Sequence, residues 1–172
     1  MRTGKPPHLK SFDHVGLQRY FLTFCTHDRQ KCFVDRSRVD VTLVQILRAG
    51  KDEGFAIVAY CFMPDHLHLL VEACSESSDC LRFIKRAKQF SGFYYARQFG
   101  QRLWQRYGFE RTLREEDATL PVARYILENP VRAKLVENPE EYPFSGSTTH
   151  TLSEVLTAIG DFRGPAKAGH YV

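Results

Sequence analysis

The chain has 172 residues, of which 43% are apolar and 26% charged, with a net charge of +4. That is enough chain for one domain with a real core and an ordinary globular composition. No apolar run approaches the roughly 20 residues of a membrane span. The basic opening MRTGKPPHLK lacks the apolar stretch of a secretory signal, so the expectation is a cytoplasmic protein. Five cysteines, an odd number with no C-x-x-C pair, argue against a disulfide framework or a zinc ribbon and for free, mostly buried thiols.

Residues 19–27, RYFLTFCTH, are rich in β-formers and predict a strand. Residues 36–53 carry Val41, Leu43, Val44, Ile46 and Leu47 at helical spacing, so a helix is expected there, ending near Gly54. FAIVAYCF at 55–62 reads as a buried strand. Met63-Pro64-Asp65 is a tight connection into a further strand at 66–73, which makes the two a hairpin. After the polar CSESSD, residues 81–99 predict a long helix with Gly92 as a weak point. Residues 103–113 predict a fourth strand. Residues 115–128 predict a helix with acids in its first turn and Pro121 tolerated early. NPVRAKLVENPEEYPF reads as a short helical piece followed by extended chain, and GDFRGPAKAGHYV as a flexible tail.

The order β-α-β-β-α-β followed by extra helices predicts an α+β fold of the ferredoxin-like split βαβ type, with an antiparallel sheet. One face of that sheet takes helices. The other is open to hold a site or to be covered by the C-terminal helices. No linker or repeat divides the chain. The expected organisation is a basic segment at 1–18, the main domain at 19–147, and a partly disordered tail at 148–172.

Two histidines interrupt the apolar run YCFMPDHLHLLVE. Side chains on a strand alternate between faces, so His66, His68 and Leu70 share one face and Leu67, Leu69 and Val71 point into the core. Two imidazoles at i and i+2 can converge on one borderline divalent ion. Two histidines do not close a metal site, so a further ligand is required. Cys61 lies on the neighbouring strand, and nothing in the sequence fixes its facing. In RYILENPV, Tyr125 and Asn129 stand four apart and share a helical face. An amide oxygen can ligate Mg²⁺ or Mn²⁺, and a tyrosine beside that ion could act as a nucleophile. The simpler alternatives are a core tyrosine, and an Asn-Pro helix cap.

Charge is unevenly placed. Residues 82–114 hold nine basic residues and a single acid, Glu110, so this segment carries +8 and the rest of the chain −4. Aromatic residues are interleaved with the cations. Basic side chains neutralise phosphates and aromatic faces stack on unpaired bases, so nucleic acid is a candidate partner. The alternative is a solvated helix face over a core stripe.

MPDHLHLLVE, LWQRYGFERTLR and ARYILENPVRAKLVENPEEYPFSG occur in that order. Together they resemble the REP-associated tyrosine transposases, relatives of the IS200-type enzymes within the HUH (histidine–hydrophobic–histidine) nucleases. The likeness runs over residues 19–147. It implies a metal-dependent enzyme that cuts and rejoins single-stranded DNA beside hairpins of repetitive extragenic palindromes, through a 5′-phosphotyrosine intermediate. It further implies metal binding, to Mg²⁺ or Mn²⁺, by His66, His68 and Asn129, and Tyr125 as nucleophile. Where the family often has Asn before the first histidine, this chain has Asp65.

A tyrosine hydroxyl ordinarily titrates near about 10, so Tyr125 would need a metal or a base to attack. Tyr94 with Gln98 repeats the four-residue spacing, but it lies in a helix expected on the opposite face. Arg82, Lys85, Arg86, Lys88 and Arg97 are the candidate DNA contacts, and KPPHLK is a further one. No phosphate-binding GxxxxGK[ST] loop is present, so no nucleotide cofactor is expected. A monomer is favoured over a homodimer. The competing readings are a hairpin-binding protein that no longer cuts, and a hydrolase that uses metal-bound water in place of tyrosine.

Overall fold

The computed structural model describes residues 16–107, 109–113 and 119–161. Strand β1 (Arg19–Cys25) leads to helix α1 (Arg36–Glu53). The Asp35 side chain accepts from Arg38 N at 2.9 Å and so caps the start of α1. Gly54, at φ +71°, ends it in the left-handed conformation that glycine adopts without strain. Strands β2 (Phe55–Met63) and β3 (His66–Ala73) form a hairpin through Pro64-Asp65. Helix α2 (Cys80–Phe99) begins under the Asp79 side chain, which accepts from Arg82 N at 3.1 Å. Then come β4 (Phe109–Leu113), α3 (Thr119–Leu127), α4 (Asn129–Arg132), the two-residue β5 (Ser145–Gly146) and α5 (Leu152–Asp161).

The sheet order is β4-β1-β3-β2-β5, and every pair is antiparallel. The first four strands have the order of the split βαβ arrangement, so the chain is α+β. One face carries α1 and α2 over Tyr20, Leu22, Phe24, Phe62, Leu67, Leu69 and Val71, together with Phe33, Phe55, Phe83, Tyr95 and Trp104. The other face carries α3 and α5 over Phe21, Ala59, Cys61, Met63 and Leu70. Burying an aromatic or large aliphatic side chain contributes about 1.5–3 kcal/mol, so the first face, richer in aromatics, contributes the larger share of stability.

A register shift between Ile57 and Ala59 marks a bulge in β2. One extra residue reverses the alternation of the strand. Phe55 and Ile57 lie on the α1/α2 side before it. After it, Tyr60 and Phe62 take that side, while Ala59, Cys61 and Met63 turn to the α3/α5 side. The all-apolar run FAIVAYCF has no polar–apolar alternation that could reveal this reversal.

Two elements differ from expectation, and a third falls partly outside the described residues. The strand predicted over 103–113 is ordered as a strand only at Phe109–Leu113. Upstream, Trp104 makes a single antiparallel bridge with Thr26. The helix predicted from 115 is described from Thr119, because residues 114–118 lie outside the described residues. In the stretch set apart as a tail, residues 152–161 form α5, which buries Val155 and Ile159 against the α3 side. Its start is closed by a reciprocal cap. Thr151 N donates to Glu154 Oε2 at 2.7 Å, and Glu154 N donates to Thr151 Oγ1 at 3.2 Å. The N-terminal segment 1–15, with KPPHLK, and residues 162–172 lie outside the described residues. Among the described residues no helix is long and apolar enough to cross a membrane.

Candidate active site

The hairpin turn sets the position of the histidines. Pro64 O accepts from Phe33 N at 3.0 Å, and Asp65 O accepts from Thr26 N at 3.0 Å and from the buried Thr26 hydroxyl at 2.9 Å. The turn is thus pinned from β1 and from the loop before α1. His66 pairs with Cys25 and Met63, and His68 with Thr23 and Cys61. Residues paired across antiparallel strands share a face, so both imidazoles lie on the α3 side.

Each ring is oriented by a partner at Nδ1. His66 Nδ1 lies 2.7 Å from Asp65 Oδ1, and His68 Nδ1 lies 2.9 Å from Thr23 Oγ1. A carboxylate only accepts, so the His66 proton sits on Nδ1 and its Nε2 lone pair is free to ligate. Arg29 Nε, 3.0 Å from Asp65 Oδ2, holds the carboxylate from its other side. Arg29 occupies the left-handed region at φ +54°, which costs a non-glycine residue strain. His68 is stacked on Phe21, with ring centroids 5.4 Å apart.

The two Nε2 atoms lie 3.1 Å apart. Two nitrogens bound to one metal at about 2.1 Å and at right angles sit about 3.0 Å apart, so the pair fits a shared ion. Protonation is set accordingly. Burial pushes His68 down to about 3, and the adjacent His66 adds to the shift. Burial also lowers His66, while Asp65 opposes that shift. Both imidazoles are therefore neutral at pH 7, the form in which they ligate.

Tyr125 stands over this pair from α3. Its ring centroid is 5.7 Å from that of His68 and 5.9 Å from that of Phe21. Val122, Ala123, Ile126 and Leu127 of the same helix are buried in the second core and fix its docking. Asn129 is the first residue of α4, with Glu128 in the cap position, so the Asn-Pro pair does not act as a cap and first turn. Asn129 Nδ2 donates to Tyr125 O at 3.0 Å, so Oδ1 is the atom the side chain can offer to a cation. Among the described residues no group of three His, Cys, Asp or Glu side chains is arranged to hold a metal ion. Cys61 faces the site, but burial pushes its thiol well above the ordinary range, so it remains protonated.

Arg132 escaped the sequence reading. Its guanidinium carbon lies 4.3 Å from the Tyr125 ring centroid, and it also donates to Tyr125 O. Tyr125 is on α3 and Arg132 on α4, beyond the break at Glu128, so no spacing within one helix links them. Glu128 holds Arg124 at 2.8 Å and Arg132 at 3.6 Å, so cations flank the tyrosine on its own helix pair.

The five candidate DNA contacts lie across the sheet from this constellation, on α2. Arg82 and Arg86 are ion-paired to the buried Glu53, at 3.2 and 2.6 Å. Lys88 Nζ donates to Gln105 O at 2.8 Å. Lys85 and Arg97 are exposed. The rival Tyr94 also lies on α2, away from the histidines, as its helix predicts.

The family model for IS200-like transposases matches residues 14–129, two thirds of the chain. A Haemophilus influenzae protein, whose name assigns it to the REP-associated tyrosine transposases, is 26% identical over 157 residues, covering 85% of this chain and 88% of that one. Among solved structures, a REP-associated tyrosine transposase bound to a REP hairpin superposes with a TM-score of 0.67 at 20% identity, over 81% of each chain. A protein from Deinococcus radiodurans R1, assigned as a transposase, superposes with a TM-score of 0.52 at 24% identity, over 73% of this chain and 95% of that one. At these identities the two superpositions establish the fold, and the family model, over two thirds of the chain, establishes the family: the chain belongs to the IS200-like transposases, a family of tyrosine transposases that act on DNA.

Proposed function

We propose that the chain is a metal-dependent single-strand DNA endonuclease and strand transferase that works beside REP-type hairpins. The observation that carries this reading is Tyr125, seated 5.7 Å from His68, over two neutral imidazoles whose Nε2 atoms converge to 3.1 Å. The relatives are named for REP-associated transposition, and one solved relative is bound to a REP hairpin.

In this reading His66 Nε2, His68 Nε2 and Asn129 Oδ1 would hold a divalent ion, Mg²⁺ or Mn²⁺. When bound, such an ion polarises the scissile phosphate and offsets its developing charge. Tyr125 Oη gives its proton to solvent and attacks phosphorus. The bond to the 3′ oxygen breaks, that oxygen takes a proton from solvent, and a 5′-phosphotyrosine forms. A 3′-hydroxyl can later reverse the step, so strands are rejoined without a nucleotide cofactor. Arg132, stacked on the Tyr125 ring, would stabilise the added phosphate charge. Lys85 and Arg97, with those of Arg82, Arg86 and Lys88 released from their internal partners, would contact the phosphates of the DNA. The catalytic unit is residues 19–147, acting as a monomer in the cytoplasm.

The test is incubation with hairpin-bearing single-stranded DNA and Mn²⁺ or Mg²⁺, followed by denaturing electrophoresis. A metal-dependent protein–DNA adduct that Tyr125→Phe abolishes supports the reading. Binding without an adduct leaves recognition alone. Cleavage that persists in Tyr125→Phe assigns the attack to another nucleophile, Tyr94 or metal-bound water.

A further inference from the structure

A cleft of about 570 Å³ opens between the C-terminal half of α2 and residues 100–104. Its volume is in the range of small-molecule sites, about 300–1,000 Å³. Leu103 and Trp104 form the floor, and Gly92 leaves room above the indole, because a Cβ there would lie 3.5 Å from Trp104 Cδ1. The indole is held flat by its Nε1, which donates to the Ser91 hydroxyl at 2.8 Å. Phe93 stands on the rim 60% exposed, a large aromatic that no core covers. Arg102 lines the same cleft, and Arg97 follows Phe93 by one helical turn. An aromatic rim with cations beside it suits a flat ring attached to a phosphate.

The cleft lies on the α1/α2 side of the sheet, across it from the histidines and near the same end of β1. Trp104 bridges Thr26, and Gln105 N donates to Cys25 O at 3.1 Å. Cys25 is in register with His66. Two strand spacings, about 10 Å, therefore separate the backbone of the cleft floor from that of His66. We propose that this cleft receives one unpaired nucleobase of the single strand flanking the hairpin, with the base stacked on Phe93 and its phosphate met by Arg102. This inference rests on the single-strand nuclease reading and adds to it a place where the strand is gripped around the sheet edge. A base stacked on an aromatic side chain is worth roughly 5- to 150-fold in affinity.

The test uses the full chain in chelator, so that binding proceeds without cleavage. The probe is a hairpin oligonucleotide with single-stranded flanks carrying 2-aminopurine at successive flank positions. Stacking quenches this base. The expected result is quenching at one flank position that Phe93→Ala removes, with affinity for the flanked hairpin about tenfold weaker and affinity for the blunt hairpin unchanged. Ala96→Leu, which fills the cleft from an exposed helical position, is expected to do the same. If the wild type binds and, with metal, cuts the flanked hairpin, yet neither variant alters quenching or affinity, the cleft is not a base site and the nuclease reading stands. If the wild type neither binds nor cuts it, both readings fall together.

Discussion

The two faces of the sheet are built to different ends. The α1/α2 face is packed with interlocking aromatic rings. Phe33 and Phe62 meet at 4.9 Å, Phe55 and Phe83 at 5.1 Å, and Phe24 and Trp104 at 5.6 Å. The α3/α5 face is covered by thinner residues, including Ala59, Ala123 and Val122, and into it the sheet projects two imidazoles and a threonine. Dense packing tolerates no polar group without a partner. On the thinner face the polar groups are partnered with one another: the two imidazole Nε2 atoms converge to 3.1 Å, and Thr23 holds His68 Nδ1. Stability and chemistry are thereby divided between the two sides of a single strand, β3, whose Leu67, Leu69 and Val71 face one way and whose His66 and His68 face the other.

That division can be broken experimentally. Tyr125→Phe is expected to lower strand cleavage by at least about a thousandfold, the scale of losing a nucleophile. It should leave the melting temperature nearly unchanged, which thermal denaturation beside the cleavage assay would check. Phe83→Ala, on the other face, should cost about 3–5 kcal/mol of stability, read by urea unfolding. The metal affinity of its folded fraction should match the wild type. A loss of metal binding there would show that the two faces are coupled.

Smaller effects sharpen the comparison. Asp65→Ala removes the acceptor at His66 Nδ1 and should weaken metal binding about 10- to 100-fold, as outer partners of ligating histidines do. Titration calorimetry with Mn²⁺ measures it. Asp79→Ala deletes the α2 cap and should cost about 1 kcal/mol in stability, with cleavage unchanged at a temperature where the variant is folded.

Much of this was legible from the chain. The strict period of two in HLHLLV put both histidines on one face, and the four-residue step from Tyr125 to Asn129 put that pair on one helical turn. Other parts left no usable pattern. The bulge in β2 lies in a run where every residue is apolar, so Cys61 could not be assigned a side. The segment at 103–107 has strand-like composition, yet Leu103 and Trp104 turn into the core and hold only one bridge. Helix α5 did carry a signal, the Thr-x-x-Glu cap at Thr151 and Glu154, which the small and polar residues around it obscured. Arg132 acts on Tyr125 across a helix break at Glu128, and a spacing argument confined to one helix does not reach it.

The most direct measurement is the identity of the residue that carries the DNA. Trapping the adduct with a hairpin substrate and Mn²⁺, digesting it, and sequencing the modified peptide by mass spectrometry would locate the bond. The account predicts a 5′-phosphonucleotide on Tyr125 alone. A nucleotide on Tyr94, or cut DNA with no modified peptide, would contradict it.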